Sequence, residues 1–155
     1  MKNIIINIQY CCKNNKNIPK KLYFKKWIQK ILCKKKNINI ITIRIVDEWE
    51  IKKLNFNYRK KNKPTNILSF PFNKFIKINY KLLGDLVLCK NIIEKESLKY
   101  NKSLESHWAH ITIHGTLHLL GYDHQNNKEA DIMERLENKI MLSLNYKKPH
   151  ILKSF

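Results

Sequence analysis

Arginine is nearly absent from this strongly basic chain. Lysine and arginine together number 31 against 12 acidic residues, yet only Arg44, Arg59 and Arg135 carry a guanidinium. No apolar run approaches the ~20 residues that a membrane-spanning helix needs. The opening Met1-Lys-Asn-Ile-Ile-Ile-Asn-Ile-Gln turns polar too early for a signal peptide and reads as a strand. The cysteines, Cys11, Cys12, Cys33 and Cys89, form no Cys-x-x-Cys pair. A chain of 155 residues with 43% hydrophobic content can bury a core without covalent staples, so they are expected as free thiols in a reducing cytoplasm. There is neither an internal repeat nor a linker, which leaves one domain over residues 1–155.

The scarcity of arginine changes how the charge is read. A net charge of +19 with pI ≈ 9.8 favours a polyanionic partner such as nucleic acid. Lysine, asparagine and isoleucine are all heavily used, as an AT-rich coding sequence would produce, so the charge permits RNA binding without establishing it. A planar guanidinium, by contrast, makes the bidentate phosphate contact that lysine does not replace. Arg59 therefore stands out in the stretch Tyr58–Asn66, where Pro64 blocks a helix and a loop is expected.

One stretch organises the chain: His114-Gly-Thr-Leu-His118-Leu-Leu-Gly121-Tyr-Asp-His124. Histidines one helical turn apart point their rings from the same face. Gly121 can adopt the positive φ that ends a helix and turns the chain back, so His124 can swing towards the other two. Three imidazoles leave the fourth tetrahedral position of a zinc ion open, which distinguishes a catalytic zinc from a structural one. The spacing matches the long zinc-protease motif, but the glutamate that follows the first histidine there is missing, and Gly115 stands in its place. A peptidase is thereby disfavoured. His107 and His110 extend the same face and are expected not to be ligands, since three imidazoles and a water complete the set. Asp123 is a candidate partner for a ligand imidazole.

In chain order, strands are expected at Ile4–Ile8, Ile38–Val46, Ile67–Phe72 and Gly84–Cys89, with Pro71 placing the third at an edge. Helices are expected after Pro19 with Phe24, Trp27, Ile28 and Ile31 inward, and after Asp47 with Glu50 as capping-box partner and Ile51, Leu54 and Tyr58 inward. Others should span Asn91–Tyr100, run from the Ser103 cap to Leu120, and follow Asn126 with Glu129 in a capping box and Met133, Leu136, Ile140 and Leu144 inward. Asn73–Leu82 reads as a basic, aromatic-containing loop. The first two strands and their helix make a β-α-β unit with a parallel pair.

Four blocks resemble the bacterial YbeY family of endoribonucleases and rRNA maturation factors. They are Leu54–Phe72, Leu83–Cys89, His114–His124 and Met133–Glu137, in matching order and spacing. The resemblance implies a single α/β (α+β) domain, with a small mixed, mostly parallel sheet of about four strands, about five helices and the metal site at a helix C-terminus. It implies one zinc per chain on His114, His118 and His124. It also implies cleavage of single-stranded RNA, in maturing the 3′ end of small-subunit rRNA and in ribosome quality control. The implied catalytic residues are Arg59 and His114, and the implied RNA contacts are Arg59 and Lys61. The implied partners are RNA, the small ribosomal subunit and its assembly factors; a cytoplasmic monomer with no membrane is expected. Two departures are Asn62, where the family commonly has Asp, and Asn145, where Gly is usual near the C-terminus. The alternative is a ribosome-assembly binding factor whose zinc is mainly structural.

Overall fold

β-branched runs with a period of two, separated by amphipathic stretches with a period near 3.6, build a sheet with helices on both faces. The structure is a computed structural model and describes residues 4–147 and Pro149. The first residues of the expected N-terminal strand and the last of the expected domain lie outside the described residues. In order, the elements are β1 (Ile4–Cys11), α1 (Lys21–Leu32), β2 (Ile38–Val46), α2 (Glu48–Arg59), β3 (Ile67–Lys77), β4 (Tyr80–Cys89), α3 (Lys90–Lys99), α4 (Leu104–Leu119) and α5 (Asn127–Ser143). Spatial order in the sheet is β1-β2-β4-β3. β1, β2 and β4 run parallel, and β3 lies antiparallel to β4 at one edge. The mixed, mostly parallel single domain is thus as expected, and Pro71 does sit on an edge strand.

Alternation along the strands sorts the core into two. Ile41, Ile43, Ile45, Ile67, Leu86 and Leu88 pack in one cluster with Trp27 of α1, Trp108 and Ile111 of α4, and Met133 and Met141 of α5. Their neighbours Val46, Leu68, Val87 and Cys89 face the other way and pack with Ile51 and Leu54 of α2. So α4 and α2 lie on opposite faces of the sheet. α4 is buried nearly all round, because α1, α3, α5, β3 and β4 all pack on it. The cysteines are free among the described residues, as expected. No helix there is long and apolar enough to cross a membrane.

Several local expectations need correction. Asn73–Leu82 is not a loop: β3 and β4 continue through it as a hairpin, turning at Asn79 with φ 68°. From Pro71 to Lys77 the side chains of β3 are all exposed, so no alternation of polarity marks the strand. Asp47 precedes α2 without a side-chain cap, and its carboxylate accepts the Lys13 N–H at 2.9 Å instead. Glu50 is drawn to Arg44, which donates from Nε at 2.5 Å and from Nη2 at 3.0 Å. That capping box is therefore replaced by an ion pair to β2. Tyr58 is 67% exposed rather than inward. Pro19 stands before the Lys20 cap rather than in the first turn of α1.

Candidate metal centre and cleft

The Ser103 hydroxyl accepts the Ser106 N–H at 3.1 Å and starts α4. Gly121, at φ 99°, ends it: the Gly121 N–H donates to His118 O at 3.0 Å and the Tyr122 N–H to Leu117 O at 3.1 Å. This pair of bonds is the Schellman closure expected of a glycine just past a helix. It carries His124 back to the other two imidazoles, its ring centroid 5.7 Å from that of His114 and 5.1 Å from that of His118. One ring nitrogen from each of the three lies within 4.8 Å of the others, and His114 Nε2 is 3.0 Å from His118 Nε2. Ligand nitrogens at 2.0–2.1 Å from a tetrahedral ion would stand about 3.3 Å apart. The spacing fits, and among the described residues this is the group that could hold a metal ion.

Protonation fits as well. Burial, and then the neighbouring His114 and His124, push His118 down to about 4, so it is neutral and able to ligate at neutral pH. His114 Nδ1 bonds Oε1 of Glu137, a buried residue of α5. His110 Nε2 bonds the other oxygen of the same carboxylate at 3.3 Å. Burial alone would raise Glu137, but the bonds to His110 and His114 outweigh it and hold it down to about 2. An ionised carboxylate only accepts, so both imidazoles donate to it. His114 is thereby fixed with its proton on Nδ1 and its lone pair on Nε2, the atom that faces His118.

Sequence reasoning missed Glu137 and assigned the partner role to Asp123. Asp123 instead accepts the His124 backbone N–H at 2.8 Å and braces the turn. A signal for Glu137 existed: with Met133 and Met141 it shares one buried face of α5 at four-residue spacing, a carboxylate inside an apolar stripe. His107 and His110 lie outside the cluster, and His107 Nε2 bonds Glu96 at 2.9 Å.

Gly115 cannot be read as a lost catalytic glutamate. It packs on the sheet, and a Cβ there would stand 2.3 Å from Ile67 Cδ1 and 3.0 Å from Leu86 Cδ2. A side chain on it would meet Ile67 and Leu86 of the core and the Ser69 hydroxyl at 3.2 Å. Gly115→Glu should cost more than about 3 kcal/mol, through overpacking and a buried unpaired carboxylate. Denaturant unfolding of the variant checks this, and no peptidase activity should appear.

A cleft of ≈ 570 Å³ opens beside the histidines. Residues 67–71 of edge strand β3 line its floor. Tyr58 and Arg59 approach from α2, and His118 and the turn from Gly121 to His124 approach from α4. Arg59 is the last residue of α2 rather than part of a loop, because Lys60 takes the left-handed conformation at φ 58° and closes the helix. Tyr58 packs edge-on against Phe70 at 5.1 Å and ties that helix end to β3. Elements on opposite faces of the sheet thus bring Arg59 and the histidines to one cleft. His114 lies deeper, and Lys61 is exposed and not among the lining residues.

The model of the family described as endoribonuclease YbeY matches residues 9–145. The chain belongs to the YbeY family. All four blocks that suggested YbeY fall within the matched residues. The endoribonuclease YbeY of Buchnera aphidicola subsp. Schizaphis graminum (strain Sg) is 70% identical over 152 residues, covering 98% of this chain and 96% of that one. A solution structure from Thermotoga maritima shares the fold at TM-score 0.55 and 23% identity, covering 91% of this chain and 92% of that one.

His110 gives this YbeY-family fold a pH-dependent stability. Burial pushes its imidazole from 6.5 down to about 4. Between those values the unfolded chain binds a proton that the folded chain refuses, so stability falls as pH drops from 6.5 towards 4. His110→Gln should reduce that slope and leave the part that His118, also pushed down to about 4, contributes. Thermal unfolding of the metal-free protein and the variant across the window checks the sign.

Proposed function

We propose that the chain is a zinc-dependent endoribonuclease acting on single-stranded RNA. It would act in maturing the 3′ end of small-subunit rRNA and in ribosome quality control, as a cytoplasmic monomer working with the small subunit and its assembly factors. Family membership supports the endoribonuclease class. The observation that carries the rest is the cleft that Arg59 shares with His118 and His124, two of the three imidazole residues that could hold a metal, approached from opposite faces of the sheet.

His114, His118 and His124 would hold the zinc, one ion per chain. When bound, it supplies Lewis acidity and lowers the pKa of water towards ~7. The chain's own residues do the rest. Arg59 binds the scissile or adjacent phosphate through its planar fork and balances the charge that develops there. Glu137 keeps the proton of His114 on Nδ1 and so leaves Nε2 as a donor to the ion. The cleft floor of β3 excludes water from one side of the bound strand.

The test is cleavage of a defined single-stranded RNA and of its duplex by zinc-loaded protein, with His114→Ala and Arg59→Ala beside it. Wild type should cut the single strand and spare the duplex, and both variants should lose cleavage. Zinc-loaded wild type that binds the strand and leaves it whole would instead favour a ribosome-assembly binding factor with a structural zinc.

A further inference from the structure

The β3–β4 hairpin runs on past the cleft with a surface that the cleft chemistry does not use. Phe72, Phe75 and Ile76 are about half exposed, and Ile78 is 87% exposed. From Ser69 to Leu83 the chain carries Lys74, Lys77 and Lys81 and no acidic residue. Register places Lys81 opposite Phe75 and Lys77 opposite Tyr80. The lysine Nζ lies over its partner ring at 5.6 Å in the first rung and 4.1 Å in the second. Each rung therefore presents an aromatic face and a cation together.

Exposed rings interleaved with cations, and free of carboxylates, suit one class of ligand: a single-stranded nucleic acid, whose bases stack while its phosphates meet lysine. A duplex hides its base faces within the stack. An apolar protein surface would leave the three lysines without partners. The hairpin is also continuous with the cleft. Phe70 and Pro71 line the cleft and Phe72 follows directly, while Phe75 lies four residues beyond Pro71, about 13 Å at the rise of a strand.

We propose that the β3–β4 hairpin is a stacking platform for unpaired nucleotides flanking the phosphate held at Arg59. Phe75 takes a base and Lys81 a phosphate in the rung nearer the cleft. Phe72 bridges that rung to the cleft. This rests on the RNA reading above and adds the direction in which the strand leaves the site.

The experiment is equilibrium binding of a fluorescent single-stranded oligoribonucleotide in the presence of chelator, so that no strand is cut. Wild type is compared with Phe75→Leu, Phe75→Trp and Lys81→Gln. Loss of one stacked base should weaken binding by Phe75→Leu about tenfold, while Phe75→Trp, which keeps a ring, stays near wild type. Lys81→Gln should reduce the slope of log affinity against log salt by about 0.7. An oligonucleotide made abasic along its length, which loses every stacked base, should bind wild type at least as weakly as the intact strand binds Phe75→Leu. Because these side chains are exposed, matched unfolding curves confirm that the fold is intact. Equal affinity of wild type and Phe75→Leu for the intact strand overturns the platform and leaves the hairpin to a protein contact. Wild type that binds no RNA at all overturns the RNA reading together with it.

Discussion

Replacing Arg59 by lysine is expected to reduce RNA cleavage about a hundredfold or more while keeping the charge. The side chain ends α2 and lines the cleft that His118 and His124 line from the other side. Lysine offers a point charge there and no planar fork, so a phosphate would be attracted without being oriented. Arg59 is not among the three imidazole residues that could hold a metal, so zinc content should stay at wild-type level. Thermal stability should hardly change, because no core contact is lost. Arg44 cannot stand in, since Glu50 and Gln9 engage its guanidinium on another part of the sheet. Single-turnover cleavage with a parallel metal assay checks the pair of outcomes. Normal cleavage by Arg59→Lys would remove the direct phosphate role.

His118→Ala should lose both zinc and cleavage, because two imidazoles cannot complete the set. Glu137→Gln is the more discriminating partner of that experiment. The carboxylate receives one N–H from His110 and one from His114, on different oxygens. Glutamine offers a single acceptor oxygen, and its NH2 would face the second imidazole N–H. One ring must then change tautomer or turn away. If His114 yields, zinc affinity should fall about 10- to 100-fold. Competition with a chelating indicator measures this without reference to catalysis. Unchanged zinc affinity in Glu137→Gln would mean that His110 is the ring that yields, whereas unchanged affinity in Glu137→Leu, which offers no acceptor to either ring, would reduce Glu137 to a packing residue.

The metal cluster was legible in the sequence because it is nearly local. Offsets of four and ten residues, with a glycine between, specify a helix, its closure and the return of the chain. Ser103, Asn126 and Asn145 were legible for the same reason, since each answers a backbone need within a few residues of itself. Arg59 was legible as an unusual residue, but its approach to the histidines depends on which faces of the sheet α2 and α4 cover. Only the alternation across three strands decides that. Glu137 was missed because its partners lie 23 and 27 residues away on another helix. The hairpin was missed because a ribbon solvated on both faces carries no alternation to read. At Asp47 and Glu50 the local rule failed for a tertiary reason, as Arg44 of β2 offered Glu50 a charge in place of a backbone N–H.

The most direct measurement is a zinc titration of metal-stripped protein, read by single-turnover cleavage of a defined single-stranded RNA. The account predicts no cleavage without metal, a rise that ends at one equivalent per chain, and no such rise in Arg59→Lys despite equal zinc uptake. Cleavage that persists in the stripped protein, or one bound zinc with no cleavage in wild type, would contradict it.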